Sequence, residues 1–534
     1  MTPYFALLPL FVTLVVHKST GSSLRPNVLF IVADDLRPAL GCYLNHQGDD
    51  FAYTPNLDAL ANDGLLFENA FAQQAICGAS RTSFLTGRRP ESLQTFNNHQ
   101  SYWRHRAGNF STIPQYFREY GYRTVSVGKV FHPGWLSGHT DDFPYSWSQQ
   151  PYHASTEKYR QAEVCPSASS TRLHANVICP VNVTQQPEHT LPDIQSTQFA
   201  QRVIRNIGEP FFLAVGYHKP HIPLKYPQPF NPKERLYLPL APWYRVTNQV
   251  IIKIIALHKQ LSMCDVSYLC PLSAMRPARI RHRPHGLPPI AWNPWTDVKA
   301  RHDVNQLNIT FPYGEMPLEF QLRLKQSYCA SVAYMDVLVG RLIQALKQRR
   351  LYDNTIIVFT SDHGWSLGEH GEWSKYSNLN VALRVPLIIR APHFGHGKRV
   401  SELVELVDLF ATLADLAGLP VPSVCQQRPP PVQSTCHEGA SLKSLLHCYR
   451  PTDIKFMGYT MRTKRYHYTE WVSYDVQRSE ANWTDLVARE LYDLHVDPIE
   501  QHNCAHKQMF RSLLERMSAT LRLGWRHAQP KIWK

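Results

Sequence analysis

The chain has 534 residues, 43% hydrophobic and 18% charged, with 40 prolines and 25 glycines, a balance that excludes a disordered chain and allows one large domain plus a smaller one. A formal net charge of +14 with 26 histidines points to an acidic partner: nucleic acid, anionic lipid or a sulfated polysaccharide. The secretory features that come first in the chain argue against nucleic acid.

Tyr4 to Val16 is an apolar run too short to span a bilayer, followed by His17-Lys18 and by Ser19 and Gly21, suitably placed for cleavage before Ser22. Residues 1–21 therefore read as a signal peptide. The missing basic n-region keeps a membrane anchor or a buried helix as competing readings. No later segment reads as a membrane span. Asn-X-Ser/Thr triplets at Asn109, Asn182, Asn308 and Asn482 agree with a secretory route. Of eleven cysteines, Cys165 with Cys179 and Cys425 with Cys436 each close a Pro/Ser-rich loop and are expected to pair. The odd total leaves at least one cysteine over, and Cys77 is the candidate.

Continuous apolar runs at 27–33, 123–127, 211–215, 355–359 and 386–389 predict strands buried on both faces, as in a parallel sheet covered by helices. Three- and four-residue spacing predicts helices over 112–120, 326–349 and 401–417. The fold class is α/β, a large mixed, mainly parallel sheet. Four strands run into ionisable clusters: Asp34-Asp35, Lys129 to His132, His218 to His221, and Asp362-His363. Ligands bind beyond the carboxyl ends of parallel strands, so these clusters are expected to converge. Residues 242–283, with seven Lys/Arg against one Asp and no stable period, read as an atypical insertion in a catalytic domain of residues 22–448. Beyond it, short alternating stretches at 455–463 and 466–472, then 490–493 and a terminal helix, predict a C-terminal α+β subdomain over 449–534 with an antiparallel sheet.

Asp34, Asp35 and Asp362 are hard oxygen donors suited to Ca²⁺ or Mg²⁺, and His363 could add a nitrogen or hydrogen-bond the ligand shell. The segment Cys77-Gly78-Ala79-Ser80-Arg81, followed by Thr86-Gly87-Arg88, resembles the sulfatase signature, with alanine where most members carry proline. The resemblance runs from about Asn27 to the C-terminus. It includes Gly128-Lys129-Val130-Phe131-His132-Pro133, Gly216-Tyr217-His218-Lys219-Pro220-His221 and Gly368-Glu369-His370-Gly371-Glu372-Trp373-Ser374-Lys375-Tyr376.

That resemblance implies an alkaline phosphatase-like fold and conversion of Cys77 to formylglycine by a generating enzyme. It further implies one Ca²⁺ held by Asp34, Asp35, Asp362, His363 and position 77, with Mg²⁺ the alternative. The hydrated aldehyde would attack sulfur and His132 would take the proton that lets it reform. Arg81 and Lys129 would hold the hydrate and the metal-side oxygens; Lys375 and His221 would grip the sulfate, with His218 the alternative to His221. Trp365 and Tyr376 would line the sugar pocket. The implied substrate is a sulfated glycosaminoglycan, with the 2-sulfate of terminal iduronate in heparan or dermatan sulfate favoured, and the implied address is the lysosome, with secretion as the alternative. Two departures touch the pocket: the 242–283 insertion, and a shortened passage from Cys436 to Lys455. The competing functions are a phosphoesterase of the same superfamily, which a cysteine at 77 disfavours, and a catalytically impaired glycan-binding homologue.

Overall fold

A computed structural model describes residues 25–43, 52–166, 172–208, 210–230, 297–310, 315–425, 435–446, 456–463, 465–475, 478, 480–497 and 502–523. The signal-peptide reading and the 242–283 insertion lie outside these residues. The chain forms two compact units, residues 1–446 and 447–534.

The first unit is organised by a seven-stranded sheet. Its strands are β1 (Asn27–Asp34), β2 (Leu65–Phe71), β3 (Arg123–Gly128), β5 (Phe211–Pro220), β7 (Thr355–Ser361), β8 (Arg384–Arg390) and β9 (Lys398–Glu405), in the order β3-β5-β1-β7-β8-β2-β9. A separate two-stranded ribbon pairs β4 (Ile178–Val181) with β6 (Leu224–Pro227). The β3, β5, β1 and β7 strands are mutually parallel, whereas β8 runs antiparallel to β7 and to β2.

β1, β3, β5, β7 and β8 are buried on both faces, which is why they read as unbroken apolar runs. Leu29, Ile31 and Ala33 of β1 point into one core, with residues of α1 (Pro55–Asn62), α4 (Pro192–Asn206) and the long α5 (Leu318–Gln348). Val28, Phe30 and Val32 point into the other, with residues of α2 (Cys77–Thr86), α3 (Ile113–Glu119) and α6 (Leu409–Leu416).

Three sequence expectations need correction. The helix expected over 401–417 begins as β9, which pairs in parallel with β2, and only Leu409–Leu416 is helical. In its first half the buried Val400 and Val404 stand four residues apart with three exposed residues between them across a register shift at the sheet edge, a spacing that also fits a helix. The helix expected from 326 starts at Leu318. That helix, α5, is also long and apolar enough to cross a membrane, contrary to the expectation that no later segment is; 83% of its most apolar window is buried inside the protein, as in a core helix.

The second unit is a three-stranded antiparallel sheet, β10 (Phe456–Arg462), β11 (Tyr466–Asp475) and β12 (Glu480–Asp493), with α7 (Arg511–Arg522). Tyr468, Leu491, Leu514, Met517 and Leu521 form its core. The buried Glu470 faces Arg489 Nε at 3.3 Å and Arg522 Nε at 3.4 Å. The strand expected at 490–493 is the end of a 14-residue one, whose mostly polar first part gave little sign of it. Cys165 pairs with Cys179 and Cys425 with Cys436, as expected. Among the described residues, Cys42, Cys77, Cys329 and Cys504 form no disulfide.

Candidate active site

The parallel register aligns the ends of four strands: Val32 stands opposite Gly216 and Thr360, and Gly128 opposite Gly216. The expected clusters follow immediately. Gly128 and Gly216 are needed for this closeness, because a Cβ on Gly216 would lie 1.9 Å from the Lys129 carbonyl oxygen. A register shift between Val32 and Asp34 sets Asp34 opposite Pro220, and Asp35 follows the end of the strand.

Asp35 takes a φ of 65°, a strained conformation for a side-chain-bearing residue. Its surroundings hold it there. Its N–H donates to Asp362 Oδ1 at 3.1 Å and its carbonyl accepts from the Tyr328 hydroxyl at 2.7 Å. Ser80 Oγ donates to the Asp362 carbonyl at 2.5 Å, tying α2 to the end of β7.

Cys77 is the first residue of α2, where the helix dipole favours negative charge, and it is buried. Its Sγ lies 3.0 Å from Lys375 Nζ, 3.4 Å from Asp34 Oδ1 and 3.4 Å from His363 Nε2. Burial and then Asp34 push the thiol up to about 12, so as a thiol it is a poor nucleophile.

Arg81 is fully buried one turn along α2. It donates from Nε to Asp362 Oδ2 at 2.9 Å, from Nη2 to Asp34 Oδ1 at 3.3 Å and from Nη1 to the Lys129 and Val130 carbonyls. It thus clamps the carboxylates, and its five donors suit that task better than a direct grip on position 77. Lys129 Nζ donates to Asp34 Oδ2 at 2.5 Å, and Lys375 Nζ to Asp35 Oδ1 at 2.7 Å.

The two neighbouring aspartates differ in charge state. Burial would raise Asp34, yet Lys129, His221 and Arg81 hold it well below the usual carboxylate range. Burial lifts Asp35 to about 7; Lys375 opposes the rise, and Asp34 and Asp362 add to it. Asp35 Oδ2 is buried with no hydrogen-bond partner. Burial, aided by Lys129, pulls His132 down to about 3, and burial pulls His363 down to about 4 against the pull of Asp362. His132 Nδ1 is buried and unpartnered.

His221, not His218, faces the centre: its Nε2 is 3.7 Å from Asp35 Oδ2, whereas His218 Nδ1 is 3.0 Å from Asp193 Oδ1. Trp365 is buried and Tyr376 is 42% exposed, and Lys375 Nζ lies 5.7 Å and 5.9 Å from their ring centres.

One ligand atom each from Asp34, Cys77, Asp362 and His363 falls within 4.8 Å of the others, and Asp35, Cys77 and His221 form a second such group. A hard cation fits this donor set. Mutually repelling carboxylates, a protonation-prone Asp35 and its orphaned oxygen are what a divalent ion would relieve. A cavity of about 300 Å³ opens beside the centre, lined by Asp34, Lys129, His132, Arg160, Lys219 and His221 among others.

A strand-end carboxylate and histidine cluster around a helix-terminal cysteine defines a hydrolase centre for an anionic ester. Residues 26–419 match the family described as Sulfatase, and residues 368–525 match the one described as N-sulphoglucosamine sulphohydrolase, C-terminal. The chain belongs to the sulfatase family. It is 44% identical to mouse (Mus musculus) iduronate 2-sulfatase over 555 residues, covering 91% of this chain and 92% of that protein. It is 45% identical to the human (Homo sapiens) iduronate 2-sulfatase over 547 residues, covering 89% and 90%. The fold is also that of the phosphonate monoester hydrolase of Agrobacterium radiobacter, with a TM-score of 0.52 at 20% identity over 94% of this chain and 96% of that one.

Sequence reading missed Ser80 and Tyr328, which fix the backbone beneath the carboxylates, and Arg160, whose Nη2 reaches His221 Nδ1 at 2.9 Å. Ser80 lies inside the quoted signature. Tyr328 is one apolar-face residue of a long helix and Arg160 one basic residue in a polar loop, so neither carried a signal.

Proposed function

We propose that this protein hydrolyses the 2-sulfate ester of terminal iduronate in heparan and dermatan sulfate, using formylglycine formed from Cys77. The observation that carries the reading is Cys77 itself, a buried thiol at a helix start, within 3.4 Å of Asp34 and His363 and 3.0 Å from Lys375. An unmodified thiol held at about 12 is poorly suited to attack sulfur, which favours conversion. The aldehyde hydrate supplies two geminal hydroxyls, one to attack sulfur and one to lose its proton so that the ester to the enzyme is released without an attacking water.

Asp34, Asp35, Asp362, His363 and position 77 would hold Ca²⁺, with Mg²⁺ the alternative, and the ion would offset charge on the sulfate oxygens. The chain's own groups do the rest. Arg81 fixes Asp34 and Asp362, and Lys129 balances Asp34 from the other side. Lys375 places a cation beside position 77 and the sulfate. His132, kept neutral by burial and with Nδ1 unpartnered, accepts the proton of the second hydroxyl. His221, kept neutral by burial, faces the centre from Nε2 and would help Lys375 grip the sulfate.

A formylglycine-generating enzyme is the required partner during synthesis. The signal-peptide reading and the glycosylation triplets support a secretory route with the lysosome as destination and secretion as the alternative. We assign residues 22–448 as the catalytic domain and 449–534 as a subdomain. Mass spectrometry of the tryptic peptide spanning position 77, from a competent host, should show formylglycine. Sulfate release from a 2-sulfated iduronate disaccharide should be abolished in Cys77→Ala; equal release by both proteins rejects the assignment.

A further inference from the structure

The lining of the cavity beside the centre includes basic side chains to which the proposed reaction gives no role. It runs from Asp34, Lys129 and His132 past His221 to Arg160, Lys219 and Lys225. Lys129 is paired with Asp34. The last three cations are not paired with any carboxylate among the described residues. Lys219 Nζ donates to the His221 and Pro223 carbonyls at 2.5 and 2.6 Å, and Lys225 Nζ to the Tyr159 carbonyl at 3.3 Å. Arg160 uses only Nη2, which lies 2.9 and 3.1 Å from the two ring nitrogens of His221 and 3.5 Å from the Ile222 carbonyl.

The other two carboxylates of the lining are already engaged. Asp193 accepts from the His218 and Lys219 backbone N–H groups at 3.0 and 3.1 Å and faces His218 Nδ1 at 3.0 Å. Glu157 accepts from the Ala154 N–H at 3.2 Å and faces His153 Nδ1 at 3.2 Å. The cavity therefore gathers three basic side chains that have no carboxylate partner among the described residues, separated from the reaction centre by one imidazole.

We infer that this cavity is the subsite for a second anionic group of the substrate, the carboxylate of the same uronate ring that carries the sulfate, with Arg160 as the group that selects for it. The inference rests on the proposed uronate 2-sulfate reading. A guanidinium fork matches a planar carboxylate through two parallel N–H donors, and Arg160 has Nη1 and Nε free of described partners. Lys219 and Lys225, which burial pulls down to about 7 and about 8, flank the same space, and a bound anion would favour their charged forms without fixing orientation.

The test compares an aryl iduronide 2-sulfate with its carboxyl-reduced counterpart, in which the carboxylate is a primary alcohol, using the full-length converted protein. Wild type should prefer the uronate, and Arg160→Gln should lose about 10- to 100-fold more in kcat/KM on it than on the reduced ester, the excess appearing mainly in KM. Arg160→Lys should recover part of the preference, and unchanged thermal melting of both variants would show that they fold. Equal losses on the two esters would overturn the inference, because Arg160 would then act only by positioning His221. A wild type without preference would also overturn it. So would a loss confined to substrates bearing a second sulfate, since the anion would then be that sulfate. Hydrolysis of a simple aryl sulfate but of neither uronate-derived ester would reject the substrate reading and the subsite together, leaving the sulfatase chemistry standing.

Discussion

At the scale of single residues, the site works by setting neighbouring groups of one kind in different charge states. Asp34 stays ionised beside Lys129 and Arg81, while Asp35 is raised to about 7 by burial and by Asp34 itself. Without the ion, Asp35 takes up a proton on folding at pH values between about 4, where an unfolded aspartate titrates, and about 7, so stability falls as pH rises through that window. A bound cation favours the ionised form and reverses the trend. Ca²⁺ should therefore raise the melting temperature more at pH 7 than at pH 5, as scanning calorimetry with and without chelator would show. Arg81→Ala should cost about 3–5 kcal/mol, because it leaves two buried carboxylates without their shared partner. Denaturant unfolding would measure that loss. The carboxylates, Cys77 and His221 were legible in the sequence because each sits in a motif at a strand or helix end. Arg160 was not, since its role comes from a fold contact 61 residues away in sequence.

At the scale of elements, the ends of β3, β5, β1 and β7 bring the catalytic groups together, and two glycines set how closely. Gly216→Ala would drive a methyl group into the Lys129 carbonyl, so either β3 or β5 must shift and Lys129 must leave Asp34. We expect at least a 100-fold loss of kcat, of the order seen when a site is misplaced by about 1 Å, with formylglycine content unchanged. Turnover of an aryl sulfate together with peptide mass analysis would separate the two effects. The central strands were readable because both of their faces are apolar. The edge strand β9 was not, because its buried residues Val400 and Val404 stand four apart, a spacing that also fits a helix. β2 was missed for a different reason: Glu68 and Asn69 interrupt its apolar run.

At the scale of the whole molecule, the +14 net charge acts over distances longer than any one contact. Raising salt from about 0.05 to 0.3 M should increase KM for a polymeric glycosaminoglycan several-fold and leave a monosulfated aryl substrate nearly unaffected, because screening removes long-range attraction before it weakens the buried site. Steady-state kinetics at the two ionic strengths would check this. The burial of Cys77 also bears on the order of events in biosynthesis. The residue is 2% exposed, and every residue of its helix is buried beneath the sheet. If Cys77 is converted as proposed, a modifying enzyme that must bind the segment around it would find it only in a nascent or unfolded chain, and oxidation and folding would compete for the same polypeptide. Protein that folded first would then be locked inactive although its structure is sound, and later exposure to the generating enzyme should not rescue it unless it is unfolded again. Specific activity is then a record of which process came first in the cell that made the protein.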